Sequence, residues 1–401
     1  MNSTQPLVIH ELLPSEIMGV LFEEHAKLEW RAPAIDGRVC RIWRQIVLNT
    51  PRAWVYLEIS NAGAPTIQEL REWLNRSGSA PLYISVDTLN ERLDEGTLYG
   101  LLSGYHTRIA SLQLPSGDPS FFDRRDFPCL WFLEILHWHS LDYPFCPVQW
   151  DSMRELRCLR LATTAHFPLQ WSELTQLEML TLYSARLTSF PQHSQSLTAL
   201  MLEDVSVEDT ISSPMTFPSL TYLSLFGVTG LKAYINAPCL VTFHEGFGDI
   251  FEPLSSPVAS LEEYGVCHPP PHEGYTANWH RSFPNLLRLS IRAGPRFLIP
   301  FLRCLSGDSH SLPALRMITV GDQHTFLTEE EQSSMKALVQ VRRDACQMDL
   351  TLYFETGRPF RIPLFFGKVS DCLSNNCECL MHILGAGNFL LKVVWARGLV
   401  Y

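Results

Sequence analysis

One apolar pattern recurs along most of the chain and constrains its fold more than any other feature. An apolar residue is followed by two others, a second apolar residue, one other and a third apolar residue. Successive copies mostly start roughly 20–29 residues apart, a spacing typical of repeats that each form a short strand. The copies begin at Ile109, Leu130, Leu156, Leu177, Leu197, Leu220, Leu240, Leu261, Leu286 and Leu315. The copy at Leu240 is weak, because only Phe243 follows it in phase.

Each copy predicts a strand whose apolar side chains point inward, and one repeat cannot bury that face alone. Stacked repeats form a parallel sheet with a continuous core, and burying one leucine contributes about 1.5–3 kcal/mol. We therefore expect an α/β fold, an irregular leucine-rich-repeat solenoid with a curved parallel sheet over residues 61–366. The alternative is a set of unrelated strands in an ordinary β-rich domain.

The segments that connect the predicted strands differ along the chain. Thr88-x-x-Glu91 and Thr328-x-x-Glu331 have the form of a capping box, in which two side chains bond the free amides at a helix start. After the first, Leu98, Leu101, Leu102 and Tyr105 fall on one helical face. We expect helices near both ends of the array, and loops or single turns between the middle strands.

The first sixty residues predict a separate helical module. Pro14 suits the first turn of a helix, and an apolar stripe follows it at helical spacing. Residues 38–48 predict a second amphipathic helix, which ends before Pro51. We place this module at residues 1–60, the repeats at 61–366, and a C-terminal cap or poorly ordered tail at 367–401.

These residues resemble the F-box-like domain of a large family of fungal F-box/leucine-rich-repeat proteins. The resemblance lies in Leu13-Pro14-x-Glu16-Ile17, Val39-Cys40-Arg41-x-Trp43-Arg44-x-Ile46 and Asn49-Thr50-Pro51-x-x-Trp54, and it continues through residues 70–82. In that family the helices dock on the Skp-type adaptor of a cullin–RING ubiquitin ligase. Carried over, the resemblance implies an adaptor-binding face of Leu13, Pro14, Ile17, Val20, Leu21, Val39, Trp43 and Ile46.

Asp36-Gly37 departs from the family's pattern, which has a longer apolar stretch before its Val-Cys pair. Asp-Gly is turn chemistry, so we expect a shortened middle helix and weaker adaptor docking. The alternative for the whole module is a helical cap that only covers the end of the solenoid, as repeat arrays require.

Charge and composition exclude several classes of partner. The formal net charge is -11 and no basic patch stands out, whereas nucleic acid binding needs clustered Lys and Arg. No apolar run is long enough to span a bilayer. The 11 cysteines are scattered, and Met1 to Leu13 lacks the features of a secretory signal. We expect a cytoplasmic or nuclear protein that is not secreted and binds neither nucleic acid nor membrane.

No sequence motif assigns a catalytic, cofactor-binding or metal-binding residue. The Cys372, Cys377, Cys379 and His382 cluster lacks a second, correctly spaced pair for zinc. Two histidines flank Trp138 on one strand face, but no third ligand is evident. A rigid loop follows Cys267, and spacing alone cannot show a base beside its thiol. We therefore predict a protein that is not an enzyme and needs no cofactor.

The expected function is substrate recognition within a cullin–RING ligase, with an unknown protein target held by the repeats. Candidate target-binding residues alternate with the leucines: Glu134, Arg157, Arg160, Thr181, Met201, Ser224 and Arg288. A second hypothesis is a leucine-rich-repeat interaction scaffold unconnected to ubiquitin. A third hypothesis is an enzyme with a site on the repeat loops, and only the cysteine and histidine clusters favour it.

Overall fold

The structure is a computed structural model of the chain. It describes residues 13–60, 65–88, 94–117, 119–122, 125–138, 150–163, 166–167, 169–187, 189–207, 213–228, 231–246, 258–267, 283–292, 314–322 and 351–356. Four single positions are also described, namely Leu312, Ser333, Ala337 and Gln340. Across these residues no helix has both the length and the apolar character that crossing a membrane requires.

A bundle of short helices stands at the N-terminal end of the described chain. Its helices are α1 (Ser15–Leu28), α2 (Ala32–Asp36) and α3 (Arg41–Leu48), followed by a 3-10 turn, Pro51–Trp54. Three further helices lie between the first strands: α4 (Ile67–Arg76), α5 (Glu95–Leu102) and α6 (Pro119–Phe122). The middle helix of the bundle has 5 residues and ends at Asp36, as the Asp-Gly pair predicted.

The bundle packs around aromatic side chains that join it to the repeats. Helix α1 buries Met18, Phe22 and Ala26, which share one helical face. The ring of Trp43 lies 5.2 Å from that of Phe22. Trp54 donates a hydrogen bond from Nε1 to the carbonyl of Val47 at 2.9 Å. The centroid of the Trp54 ring lies 4.6 Å from that of the Trp73 ring on α4, so the bundle and the first repeat share a core.

The strands form one large parallel sheet. It has 13 strands among the described residues, and each pairs with the strand next to it in the repeat order. Numbered in chain order together with five shorter strands described below, the strands of this sheet are β1 (Tyr56–Ile59), β2 (Leu82–Val86), β3 (Ile109–Leu114), β4 (Phe132–Trp138), β5 (Cys158–Thr163), β7 (Met179–Tyr183), β9 (Ala199–Glu203), β12 (Tyr222–Phe226), β14 (Thr242–Gly246), β15 (Glu263–Cys267), β16 (Arg288–Arg292), β17 (Met317–Asp322) and β18 (Thr351–Thr356). This confirms a parallel-sheet solenoid and excludes the alternative of unrelated strands.

The recurring apolar residues form the continuous core of the solenoid. Leu159, Leu180, Leu200 and Leu223 are register partners on neighbouring strands, and all are buried. The same holds for every described position of the ten copies, each of which is at most 4% exposed. The apolar pattern therefore predicted the inward face of the sheet correctly.

The return segments change from helices to short strands along the array. From β5 onward they hold short strands: β6 (His166–Phe167), β8 (Arg186–Leu187) and β10 (Ser206–Val207), which form one small parallel sheet, and β11 (Met215–Thr216) and β13 (Ile235–Asn236), which form another. A 3-10 turn, Lys232–Tyr234, precedes β13. Near the far end Ser333, Ala337 and Gln340 are helical. Helical residues towards both ends agree with the prediction, whereas in the middle short strands occur where loops or single turns were expected.

The start of α5 differs from the predicted start. Asp94, not Thr88, caps this helix, because the Asp94 carboxylate accepts the amide of Thr97 at 2.8 Å. The predicted apolar face is correct, since Leu98 and Leu102 are buried. A capping box does occur one return segment earlier, where Thr66 and Glu69 bond each other's amides at the start of α4.

Three consecutive repeats turn away from the sheet in the same way. The residue after each strand has a positive φ, at Ser184 (51°), Asp204 (53°) and Gly227 (63°). Each donates its amide to the next strand, as Ser184 does to the Glu203 carbonyl at 2.7 Å. Glycine suits position 227, because a Cβ there would force the Asp204 carboxylate to move and the positive φ is unfavourable for other residues.

Candidate functional site

The N-terminal bundle exposes an unusual number of apolar side chains. Among the described residues ten large apolar side chains are exposed, and eight of them lie between Ile17 and Leu48. They are Ile17, Val20, Leu21, Leu28, Ile35, Val39, Ile42 and Leu48. Single exposed apolar residues are ordinary on a protein surface, but such a concentration on one small element is typical of an interaction site.

The eight residues of the predicted adaptor-binding face divide into two groups. Pro14, Ile17, Val20, Leu21 and Val39 are exposed. Leu13, Trp43 and Ile46 are only partly exposed and pack against the core cluster. The first group is therefore available to a partner, whereas the second group also holds the bundle together.

Helices α1 and α3 are held in place by contacts on their inner sides. Gly19 of α1 lies against Thr50, since a Cβ on Gly19 would be 3.1 Å from the Thr50 hydroxyl oxygen. This close approach explains a glycine inside a helix, where it otherwise costs about 1 kcal/mol. His25 Nδ1 lies 3.1 Å from the buried carboxylate of Asp36, which ties α1 to the end of α2. The bundle thus presents its apolar outer side on a fixed frame.

The outward face of the large sheet carries the second candidate surface. Register places one outward residue of each strand in a single line across seven neighbouring strands. We call this line the central row; it contains Gln113, Glu134, Arg160, Thr181, Met201, Ser224 and His244. Five of the predicted target-binding residues therefore lie side by side. Arg157 precedes β5, and Arg288 lies in the adjacent row, opposite Glu263.

Charged side chains at one end of the central row form a small network. Gln113 donates from Nε2 to Glu134 Oε2 at 2.6 Å. The Arg160 guanidinium is 3.7 Å from the same oxygen and lies over the Phe132 ring, 5.8 Å from its centroid. Burial raises the pKa of the neighbouring Cys158 thiol to about 11, against a smaller lowering effect of Arg160. This end of the row is therefore poorly solvated.

The other end of the row holds a histidine between an aromatic ring and a carboxylate. His244 Nε2 is 3.5 Å from Glu263 Oε1, and Arg288 Nε is 3.1 Å from the other oxygen of that carboxylate. The Tyr222 ring meets the imidazole edge-on at 5.6 Å. Gly265 makes room for the ring, because a Cβ there would lie 2.8 Å from His244 Cδ2.

A partly buried polar group also lies on the inward side of the sheet, behind this end of the row. Glu245 occupies a position that its register partners fill with Leu225 and Val266. Its carboxylate contacts the Lys232 ammonium and accepts a hydrogen bond from the Tyr264 hydroxyl. Glu245 thus replaces the third apolar residue of the copy at Leu240, which explains why that copy looked weak in the sequence. The contacting residues Lys232, Glu245 and Tyr264 are not adjacent in sequence.

Most of the residues named as metal or nucleophile candidates lie outside the part of the chain that the structure describes. No group of three or more potential metal ligands occurs among these residues. The Cys372–His382 cluster, the Thr328 capping box and the tail at 367–401 lie outside the described residues. The same is true of His139, of the side chain of His137, and of the histidines that follow Cys267.

Fold and surfaces together define a parallel-sheet repeat protein with an apolar helical bundle at its N-terminal end. The sequence matches no protein-family model. A search of curated proteins also gives no match. The F-box-like resemblance thus has its basis in the quoted N-terminal residues alone.

Proposed function

We propose that this protein is the substrate-recognition subunit of a cullin–RING ubiquitin ligase. The bundle binds the Skp-type adaptor, and the outward face of the repeats binds a protein target. The chain makes or breaks no bond itself; it raises the local concentration of the target near the transferring enzyme.

One observation carries this proposal: the exposed apolar side chains are concentrated on the bundle whose residues resemble an F-box. A helical cap that only closes a solenoid would turn its apolar side chains inward and leave a polar outer face. Here Ile17, Val20 and Leu21 on α1, and Val39 and Ile42 at α3, face solvent instead. A partner that covers them removes that apolar surface from water, which favours association by about 25 cal/mol per Å².

The test is direct binding of the full chain to an immobilised Skp-type adaptor. We expect saturable one-to-one binding by the wild type. Val20→Asp with Leu21→Asp should weaken it by about 100-fold or more, because two charges would be buried in an apolar interface. Both positions are about half exposed, at 54% and 48%, so melting of the free chain should change little.

A matched control has the same chemical change away from the bundle. Leu136 on β4 is exposed to a similar extent, at 43%, and Leu136→Asp should leave adaptor binding unchanged. Trp43 and Leu13 are unsuitable first choices, because both also pack against the core. Absence of binding by the folded wild-type chain would overturn the proposal.

The second candidate is an interaction scaffold with no link to ubiquitin. The observation that favours it is α2, whose 5 residues end at a buried Asp36. The family that the sequence resembles has a longer apolar stretch here, so the docking geometry is altered. A wild-type chain that does not bind the adaptor but still binds a protein target would support this candidate.

A further inference from the structure

The central row contains most of the unpaired buried polar atoms of the described chain. Four buried side-chain nitrogen or oxygen atoms have no hydrogen-bond partner among the described residues, and three of them are Arg160 Nε, Thr181 Oγ1 and His244 Nε2. Of these, His244 Nε2 does face a carboxylate, Glu263 Oε1 at 3.5 Å. All three belong to the central row, on strands β5, β7 and β14. More than nine in ten buried polar groups in folded proteins are bonded, so a line of unpaired ones needs an explanation.

Thr181 is the most informative of the three. It is completely buried, yet it lies on the outward face, between its register partners Arg160 and Met201. An unpaired buried hydroxyl destabilises a protein, whereas valine would fill the same space without that penalty. Arg160 and Met201 are long and unbranched, so they can cover the hydroxyl in the free chain and move aside for a ligand.

Arg160 presents a cation that its own carboxylate partner does not satisfy. Glu134 already accepts a hydrogen bond from Gln113 at 2.6 Å, and Arg160 reaches the same oxygen only at 3.7 Å. A guanidinium prefers two parallel hydrogen bonds to one carboxylate. The Arg160 end of the row is therefore suited to a carboxylate supplied from outside.

The middle of the row is uncharged and partly apolar. Between Arg160 and His244 stand Thr181, Met201 and Ser224, and the adjacent row adds Met179 and Tyr222. Four strand spacings separate Arg160 from His244, about 19 Å in all. An extended chain covers that distance with about six residues.

We infer that the central row binds an extended acidic–aliphatic segment of a protein target, which crosses the strands. An aspartate or glutamate of the segment pairs with Arg160, and a main-chain carbonyl of the segment accepts a hydrogen bond from the Thr181 hydroxyl. Aliphatic side chains cover Met179 and Met201. The inference depends on the proposed target-binding role of the repeats and not on the adaptor.

The first experiment selects peptides from a random dodecapeptide library, displayed on phage, with the immobilised full chain as bait. We expect the enriched peptides to share an acidic residue followed by aliphatic ones. Enrichment without an acidic preference, or no enrichment at all, would overturn the inference. The adaptor is absent from this experiment, so failure of the ligase proposal and failure of the acidic-segment inference give separate results.

The second experiment measures the affinity of the best peptide, and of its amide counterpart (Asp→Asn or Glu→Gln), by fluorescence anisotropy. Arg160→Gln should weaken the acidic peptide about 30-fold and remove the preference over the amide peptide. Arg186→Gln is the control, since Arg186 is exposed on β8 of the small sheet. Equal affinity of wild type and Arg160→Gln for the acidic peptide would contradict the inference.

Thr181→Val separates a binding role from a structural one. We expect it to weaken the peptide about fivefold, the effect of one lost neutral hydrogen bond. The melting temperature of the free chain should stay constant or rise by about 1–3 °C, because an unpaired buried hydroxyl is removed. A lower melting temperature with unchanged peptide affinity would assign the hydroxyl to folding instead.

Discussion

Glu245 shows how a single residue can break a repeat pattern without breaking the fold. It stands in an inward row of apolar side chains and is held by Lys232 and Tyr264. Burying a charge is unfavourable unless an opposite charge and hydrogen bonds accompany it. The Lys232 ammonium also lies 5.1 Å from the centroid of the Phe243 ring, which adds a cation–π contact.

Replacing Lys232 alone should therefore destabilise the chain more than replacing Lys232, Glu245 and Tyr264 together. Lys232→Met should destabilise the chain by about 1–3 kcal/mol, because the partly buried Glu245 carboxylate loses its cationic partner. The triple variant Lys232→Met/Glu245→Leu/Tyr264→Phe should recover most of that loss. Equilibrium denaturation with urea measures both. A triple variant less stable than Lys232→Met would contradict this account of the cluster.

The pKa of Cys158 predicts that its thiol reacts slowly at neutral pH and faster as the pH rises. Burial raises this pKa to about 11, so at pH 8 very little thiolate is present. The unfolded chain releases the proton near the ordinary thiol pKa of about 8.5. The stability contributed by the neutral thiol is thus complete below that pH and is lost as the pH rises towards 11.

Alkylation with iodoacetamide, followed by mass spectrometry, checks the thiol prediction. At pH 8 the exposed Cys129 and Cys239 should react well before Cys158. Labelling of Cys158 should accelerate between pH 8 and pH 10. Reaction of Cys158 at pH 8 as fast as Cys129 would show that the thiol is neither buried nor raised in pKa.

At the scale of elements, the strands that carry the ten apolar copies were predictable and the two-residue strands were not. Leu159, Leu161 and their equivalents repeat in phase, so each copy gave a strand and its buried face. The two-residue strands β6, β8 and β10 are too short for any periodicity to indicate them. The start of α5 was misplaced because Thr88 and Asp94 are both good capping residues, and local preference alone does not decide between them.

The central row was predictable only in part, for a related reason. Alternation with the leucines identified outward positions such as Arg160 and Thr181. Which of them are neighbours depends on the register between strands, and the return segments between strands set that register. The network around Glu263 joins residues 244, 263 and 288, and no local pattern connects these positions.

Two glycines should respond in opposite directions to replacement by alanine. At Gly265 a Cβ would lie 2.8 Å from the His244 ring, so Gly265→Ala should destabilise the chain by about 1–3 kcal/mol. At Gly100, inside α5, nothing lies within 4 Å, so Gly100→Ala should stabilise it by about 0.5–1 kcal/mol. Thermal melting of both variants tests the local packing. Equal shifts would contradict it.

At the scale of the whole molecule, the solenoid separates two surfaces with different chemistry. The apolar bundle lies before the first strand, whereas the central row begins on the third strand and runs across seven. Each repeat contacts mainly its neighbours, so a substitution on one surface should not disturb the other. This separation is what a subunit needs if it is to hold an adaptor and a target at the same time.

The most direct test of this account is simultaneous binding. Biolayer interferometry on immobilised full chain can record the Skp-type adaptor and the selected acidic peptide, alone and together. We predict that neither displaces the other, that Val20→Asp/Leu21→Asp weakens only adaptor binding, and that Arg160→Gln weakens only peptide binding. Competition between the two, or loss of both with either variant, would contradict the central claim that bundle and repeats are separate recognition surfaces.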